Sequence, residues 1–260
     1  MMRRPLLAAG VASLALTAAQ AAQPPSRFHA ETRLVVVHAT VRNDRGVLVT
    51  SLDRRAFTVY ENGRRQPVTL FRRDDVPVSL GLLIDNSGSM RTLRGHVEAA
   101  ALAFVRASNP DDEVFVINFA DRPRLDVEMT SDMRVLESGI ARVDSIGGTA
   151  LRDAVDKAET YLRTHATRDR KALLIVTDGK DNASEKTMTE IQAAAERSDT
   201  IVYAVGLFAE GDPSAKQGRK ELDELTARTG GAAYYPAGVD EIDAVVVELA
   251  RQIRQQYTIG

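Results

Sequence analysis

The chain is expected to fold as a doubly wound α/β domain: a mostly parallel six-stranded sheet with helices on both faces, preceded by a small β unit. Three observations predict this. Short continuous apolar runs such as VSLGLLID (78–85) and LLIVT (173–177) are the pattern of strands buried on both faces. Between them lie stretches whose apolar residues recur at helical spacing. Strands and helices alternate over about 180 residues, which argues for parallel strands joined by crossover helices.

The elements follow in order. LVVVHATVR (34–42) is rich in β-branched residues and reads as a strand, with NDRG as a turn after it. In AFTVYENGRRQPVTLF (56–71) two β-rich runs flank Asn62-Gly63, a strong hairpin signal. Residues 33–75 are therefore assigned to a small β unit, too short to be stable with much margin by itself. After the strand at 78–85, Val97, Ala100, Ala101, Phe104 and Val105 mark a helix. DEVFVINFA (112–120) is a buried strand, and RPRLDVEMT (122–130) alternates like a half-exposed edge strand. Met133, Leu136, Ile140 and Val143 mark a second helix; Leu151, Ala154, Val155, Ala158 and Leu162 mark a third. KALLIVTDG (171–179) is a strand, Met188, Ile191 and Ala195 a helix, and TIVYAVGL (200–207) a strand. Leu222 and Leu225 mark a helix and AAYYPA a short strand. Ile242, Val245, Val246, Leu249 and Ile253 line the last helix.

The 260 residues, 44% of them hydrophobic, can bury one large core and a small appendage. A formal net charge of -2 gives no basic face or tail for general nucleic-acid binding. With no cysteine, disulfides, zinc thiolates and thiol catalysis are excluded. At the start, Arg3 and Arg4 precede an apolar run from Leu6 to Ala19, and Ala19-Gln20-Ala21 follows as a small-x-small cleavage site. The run is shorter than the roughly 20 residues that a spanning helix needs. Residues 1–21 are thus expected to be a signal peptide and 22–32 a flexible leader. Cleavage would leave 32 basic against 36 acidic residues, in a chain exported to the periplasm or secreted, with no stable membrane insertion.

In such a sheet ligands bind beyond the carboxyl ends of the strands, where strand order reverses. Three loops there carry oxygen donors: Asp85, Ser87 and Ser89 in DNSGS, Thr149 after Gly147-Gly148, and Asp178 in TDGKD. The set has no His or Cys, which suits Mg²⁺, with Mn²⁺ or Ca²⁺ as alternatives, and disfavours zinc or copper. Two carboxylates only just neutralise a divalent ion, so a position is left for an outside carboxylate. Helix capping is the bland alternative for each loop singly, and weakens when three loops match in chemistry. A serine nucleophile is disfavoured, since D-N-S-G-S lacks the first glycine of G-x-S-x-G and His29, His38, His96 and His165 are poorly placed to serve it. Neither G-x-x-x-x-G-K-[ST] nor G-x-G-x-x-G after a strand occurs, so a phosphate loop is not expected. Asp153 and Asp181, close to the site in sequence, are expected to be solvated or to cap helices.

LLIDNSGSM, GGTAL and LLIVTDGKD resemble the three loops of a von Willebrand factor type A domain, over residues 76–256. DNSGSM matches that family's D-x-S-x-S motif in full. The resemblance implies a metal-ion-dependent adhesion site in which Ser87, Ser89 and Thr149 bind the ion directly. Asp85 and Asp178 would bind directly or through water, and an acidic side chain of a protein partner would complete the coordination. It implies a non-enzymatic, metal-dependent interaction module. The alternatives are a metal-dependent hydrolase or phosphatase and a metal-independent envelope scaffold. Residues 35–71 resemble the β segment of the exported bacterial VWFA-related, acidobacterial-type group, in which further strands begin near a segment like QQYTIG. Residues 257–260 are accordingly read as the start of a β segment.

Overall fold

The computed structural model describes residues 34–260 apart from 45–46, 74, 142–145, 196 and 210. The expected signal peptide, the leader, His29 and Val143 lie outside the described residues. Val35–Gly260 forms one compact unit.

Small strands come first: β1 (Val37–Ala39), β2 (Val59–Glu61), β3 (Arg64–Gln66) and β4 (Phe71–Arg72). The main domain follows as β5 (Val78–Asp85), α1 (Arg94–Ala107), β6 (Glu113–Phe119), β7 (Pro123–Thr130), α2 (Met133–Ile140), α3 (Leu151–His165), β8 (Arg170–Thr177), α4 (Met188–Ala195), β9 (Thr200–Gly206), α5 (Ala215–Thr229), β10 (Ala233–Tyr234) and α6 (Ile242–Arg254). The last strand is β11 (Tyr257–Ile259).

Six strands make the central sheet, in the order β10-β9-β8-β5-β6-β7. All neighbours are parallel except β7, which runs antiparallel to β6 and forms the expected half-exposed edge. Every residue of β5 is buried, as its unbroken apolar run requires at the centre of a sheet covered on both faces. The side chains of α1, α2 and α6 pack on one face and those of α3, α4 and α5 on the other. The chain leaves β5 toward β6 and later returns to its other side as β8. The order therefore reverses at β5, and a cleft opens at its carboxyl end.

Close approach at the centre explains Gly81. A Cβ there would lie 2.4 Å from Phe115 Cζ and 2.5 Å from Leu173 Cδ2, both on strands that flank β5. Gly81→Ala is expected to destabilise the fold by about 1–3 kcal/mol through overpacking. A thermal melt checks this; an unchanged melting temperature would mean that the aromatic ring repacks freely.

The small β unit takes its middle strand from the far end of the chain. β11 lies between β1 and β4, antiparallel to both. Only Val37–Ala39 of the expected strand 34–42 are paired as a strand, because β11 offers three residues to pair with. The hairpin of β2 and β3 turns at Asn62 (φ 49°) and Gly63 (φ 76°), the two positive-φ positions of a type I′ turn. Tyr257 and Ile259 pack with Val68, Phe57 and Phe71 in a small core. Fully buried Arg170, the first residue of β8, donates to the Gln256 carbonyl (3.0 Å) and to Thr258 Oγ1 (2.7 Å). Arg42 bonds Tyr234 and Gln252, and Arg254 Nε donates to Asp75 (2.7 Å). These contacts hold the small sheet at the amino-terminal edge of the central sheet, opposite the cleft.

Candidate metal centre

Sheet register builds the site. Ile84 pairs with Val176, so Asp85 ends β5 level with Thr177 at the end of β8. Thr177 Oγ1 donates to Asp85 Oδ2 at 2.5 Å, and the Ser87 amide donates to Asp85 Oδ1 at 2.8 Å. Asp85 is wholly buried. Burial pushes its carboxyl up to about 6; the bonds from Thr177 and Ser87 oppose the rise and the nearby charge of Asp178 adds to it. Asp178 is also raised, first by burial, with the Ser89 hydroxyl opposing and Asp212 adding. Among the described residues neither carboxylate has an ion-pair partner.

The serines link the two acids. Ser87 Oγ lies 3.0 Å from Ser89 Oγ, and Ser89 Oγ donates to Asp178 Oδ1 at 2.9 Å. Ser87 precedes the short 3₁₀ turn Gly88–Thr92 but makes no side-chain capping bond to it. Thr149 is buried, and a Cβ on Gly179 would sit 3.4 Å from its hydroxyl oxygen, which places Thr149 beside the TDGKD loop. Helix α3 starts at Leu151 with Ala150, the residue after Thr149, as its N-cap, and no side chain caps it from there. Its first turn is served instead by Asp181, which accepts from the Arg152 amide (2.8 Å), and by Ser184 Oγ, which accepts from the Asp153 amide (3.1 Å). The hydroxyls of Ser87 and Thr149 are therefore not consumed by capping, whereas Asp85 accepts from the Ser87 amide at the head of its loop.

All five expected residues come from the loops that meet at this edge. Asp85, Ser87, Ser89 and Asp178 are joined in one hydrogen-bonded chain, and Thr149 lies against Gly179. The donor set is oxygen only. No group of three or more His, Cys, Asp or Glu side chains that could hold a metal ion forms among the described residues. The residues fit a small hard cation: two buried or half-buried carboxylates lack a counter-charge, and uncapped hydroxyls stand beside them. His96 and His165 are exposed on α1 and α3, and His165 stacks on Tyr161, away from any role beside these serines.

Several positioning residues escaped the sequence reading. Asp121 accepts from the Gly148 amide (2.7 Å), and Asn182 Oδ1 accepts from the Thr149 amide (2.8 Å). The Thr149 carbonyl accepts from the Asn182 and Ala183 amides. Gly147 sits at φ 92°, where a Cβ would strike the Asp121 carboxylate, so the glycine is required. Arg94 bonds Asn86 Oδ1 and the Ile140 carbonyl, while the Asn86 backbone takes Phe119 and Ile146 as partners. Only the Asn in TDGKDN hinted at any of this. Asp181 caps, as one of its two expected roles, through the Arg152 amide in the first turn of α3, but it is not solvated: its buried carboxylate pairs with Arg152 at 2.9 Å and accepts from Ser184. Asp153 accepts from the Glu185 and Lys186 amides and pins the same loop to α3. Beside Ser89 and Asp178 a hollow of about 360 Å³ opens, lined by Leu93, Leu207, Phe208, Val239 and Ile242.

With this geometry in view, residues 80–180 match the family model of the von Willebrand factor type A domain. Human calcium-activated chloride channel regulator 1 is 28% identical over 162 residues, which cover 59% of this chain and 16% of that protein. Among solved structures, the von Willebrand factor type A protein from Catenulispora acidiphila superposes with a TM-score of 0.59 at 18% identity, covering 69% of this chain and 43% of that one. The vWF domain of the type V pili tip protein Mfa5 from Porphyromonas gingivalis gives 0.58 at 13%, covering 69% and 95%. The pilus adhesin SpaC from Lactobacillus rhamnosus GG gives 0.59 at 15%, covering 68% and 30%. These structures share the fold.

Proposed function

We propose that this is an exported protein-binding module in which Asp85, Ser87, Ser89, Thr149 and Asp178 hold one divalent cation, Mg²⁺ by preference, and a partner protein supplies a carboxylate to it. The observation that carries the reading is the pairing of two acids without a basic partner with hydroxyls that cap nothing. When bound, the cation supplies positive charge that an acidic side chain can recognise. The chain's own part is to fix the donors. Thr177 holds Asp85, Ser89 joins the first loop to Asp178, and Asn182 with Asp121 sets the loop that carries Thr149.

Selectivity follows from the same geometry. Few protein donors and a compact arrangement suit Mg²⁺, which keeps some positions for water or a partner; Ca²⁺ wants more ligands. The hollow beside Asp178, apolar along Leu93, Leu207, Phe208, Val239 and Ile242 and polar at Thr92 and Asp212, suits a partner whose acidic residue is flanked by an aliphatic or aromatic side chain. The interaction role is supported by the domain class, and pilus adhesins share the fold. Export is supported by the amino-terminal pattern in the sequence, and among the described residues no helix is long and apolar enough to cross a membrane. The small β unit suits membership of the exported bacterial VWFA-related group.

Capture of a partner from the cell envelope tests the reading. The complex is expected to form in Mg²⁺, to dissociate in EDTA and to reform when Mg²⁺ is restored. Capture that is indifferent to EDTA would support a metal-independent scaffold instead.

A further inference from the structure

We propose that the small β unit is a docking surface for an anionic lipid bilayer, held through Arg54, Arg55 and Arg65, with Tyr60 across the hairpin from Arg65.

Charge is divided unevenly along the chain. Residues 35–75 carry eight arginines against five acidic residues, whereas residues 76–260 carry 22 basic against 30 acidic. The small unit is thus a basic module on an acidic domain. A wide cleft of about 1100 Å³ runs across it, lined by Arg54, Arg55, Arg65 and Phe57, with Asp53 as its one carboxylate. Asp53 is already engaged, accepting from the Arg55 amide at 2.7 Å. The three arginines are exposed, and among the described residues their side chains have no ion pair or hydrogen bond. Unpaired guanidinium groups around an open cleft are suited to bidentate contact with phosphate oxygens.

Apolar exposure singles out a bilayer from other polyanions. Among the described residues of Val35–Gly260, five of the seven large apolar side chains that are exposed belong to this unit: Val35, Val36, Val37, Val47 and Tyr60. The main domain, several times longer, exposes two among its described residues. Tyr60 is 64% exposed and pairs directly across the hairpin with Arg65, so the two side chains stand on one face. A tyrosine beside an arginine, on a unit that also exposes aliphatic side chains, has the composition of an interfacial membrane contact. A soluble acidic polymer would make no use of the apolar part.

Placement agrees. The small sheet is joined to the start of β8 through Arg170, and Asp178 follows the end of that strand. Eight residues of strand span about 26 Å. Docking through the small unit leaves the metal centre, at the opposite edge, clear for a partner.

Co-sedimentation of the full chain with vesicles tests this, with EDTA present throughout so that the result is independent of the metal centre. The chain is expected to sediment with vesicles of phosphatidylglycerol and phosphatidylcholine more strongly than with phosphatidylcholine alone, and added salt should release it. At about fivefold per arginine, the triple variant R54S/R55S/R65S should lose about a hundredfold in affinity for the acidic vesicles. If that variant does not fold, Arg65→Ser alone is expected to lose about fivefold. Folded variants that bind acidic vesicles as the wild type does would overturn the proposal. So would equal binding to both vesicle types, or a wild type that ignores vesicles and binds heparin, which would assign the cleft to a soluble polyanion.

Discussion

Asp178→Ala and Asp85→Asn are each expected to remove Mg²⁺ binding, by a hundredfold or more in affinity on the order seen for lost metal-site contacts, while the chain stays folded. The reasons differ. Asp178 is half-buried at the rim, and its carboxylate accepts from one side chain, Ser89. Alanine there removes a charge and little packing. Asp85 is wholly buried and raised to about 6 with no basic partner, so its charge burdens the metal-free fold. The amide of asparagine keeps the shape and one acceptor, yet cannot neutralise a cation. Calorimetric titration with Mg²⁺ separates metal loss from unfolding when a thermal melt is run beside it. Heats equal to the wild type from both folded variants would remove these residues from the site.

Asp181→Asn is expected to cost about 2 kcal/mol, a fall of roughly 5 °C in melting temperature for a chain of this size. Burial alone would raise the Asp181 carboxyl, but the side-chain and backbone hydrogen bonds from Arg152 and Ser184 outweigh it and hold the group below its ordinary value. A depressed folded pKa contributes stability in full above the unfolded value of about 4 and loses it as pH falls through the folded one. The gap between wild type and variant should therefore be widest near neutrality and close below about pH 4. Thermal melts of both proteins across that range check it, and a gap independent of pH would show that Asp181 acts through packing alone. The loss should also reach the metal centre. Asp181 ties the 181–184 loop to α3, and Asn182 in that loop positions Thr149.

Much of the main domain is legible in the chain because its signals are local. The unbroken run of β5 marks a strand buried on both faces, and each expected ligand lies within a few residues of a strand end. The edge position of β7 shows in its alternation. What stays hidden depends on register and long-range pairing. Thr177 reads as one more strand residue until pairing of β5 with β8 brings its hydroxyl onto Asp85. Asp121 lies 27 positions from the Gly148 amide that it fixes. The middle strand of the small sheet is separated from both neighbours by most of the chain, so no window on residues 33–75 contains it. Asp181 has the sequence context of an open loop residue; only the approach of Arg152 shows it to be buried.

The central claim is a cation held by oxygens from three loops. Anomalous scattering from a crystal of the wild-type chain soaked in Mn²⁺ tests it most directly. A single strong peak is expected among Asp85, Ser87, Ser89, Thr149 and Asp178, with metal–oxygen distances near 2 Å, roughly, to the two serines. No peak at the carboxyl end of β5, or one only at other surface carboxylates, would contradict it.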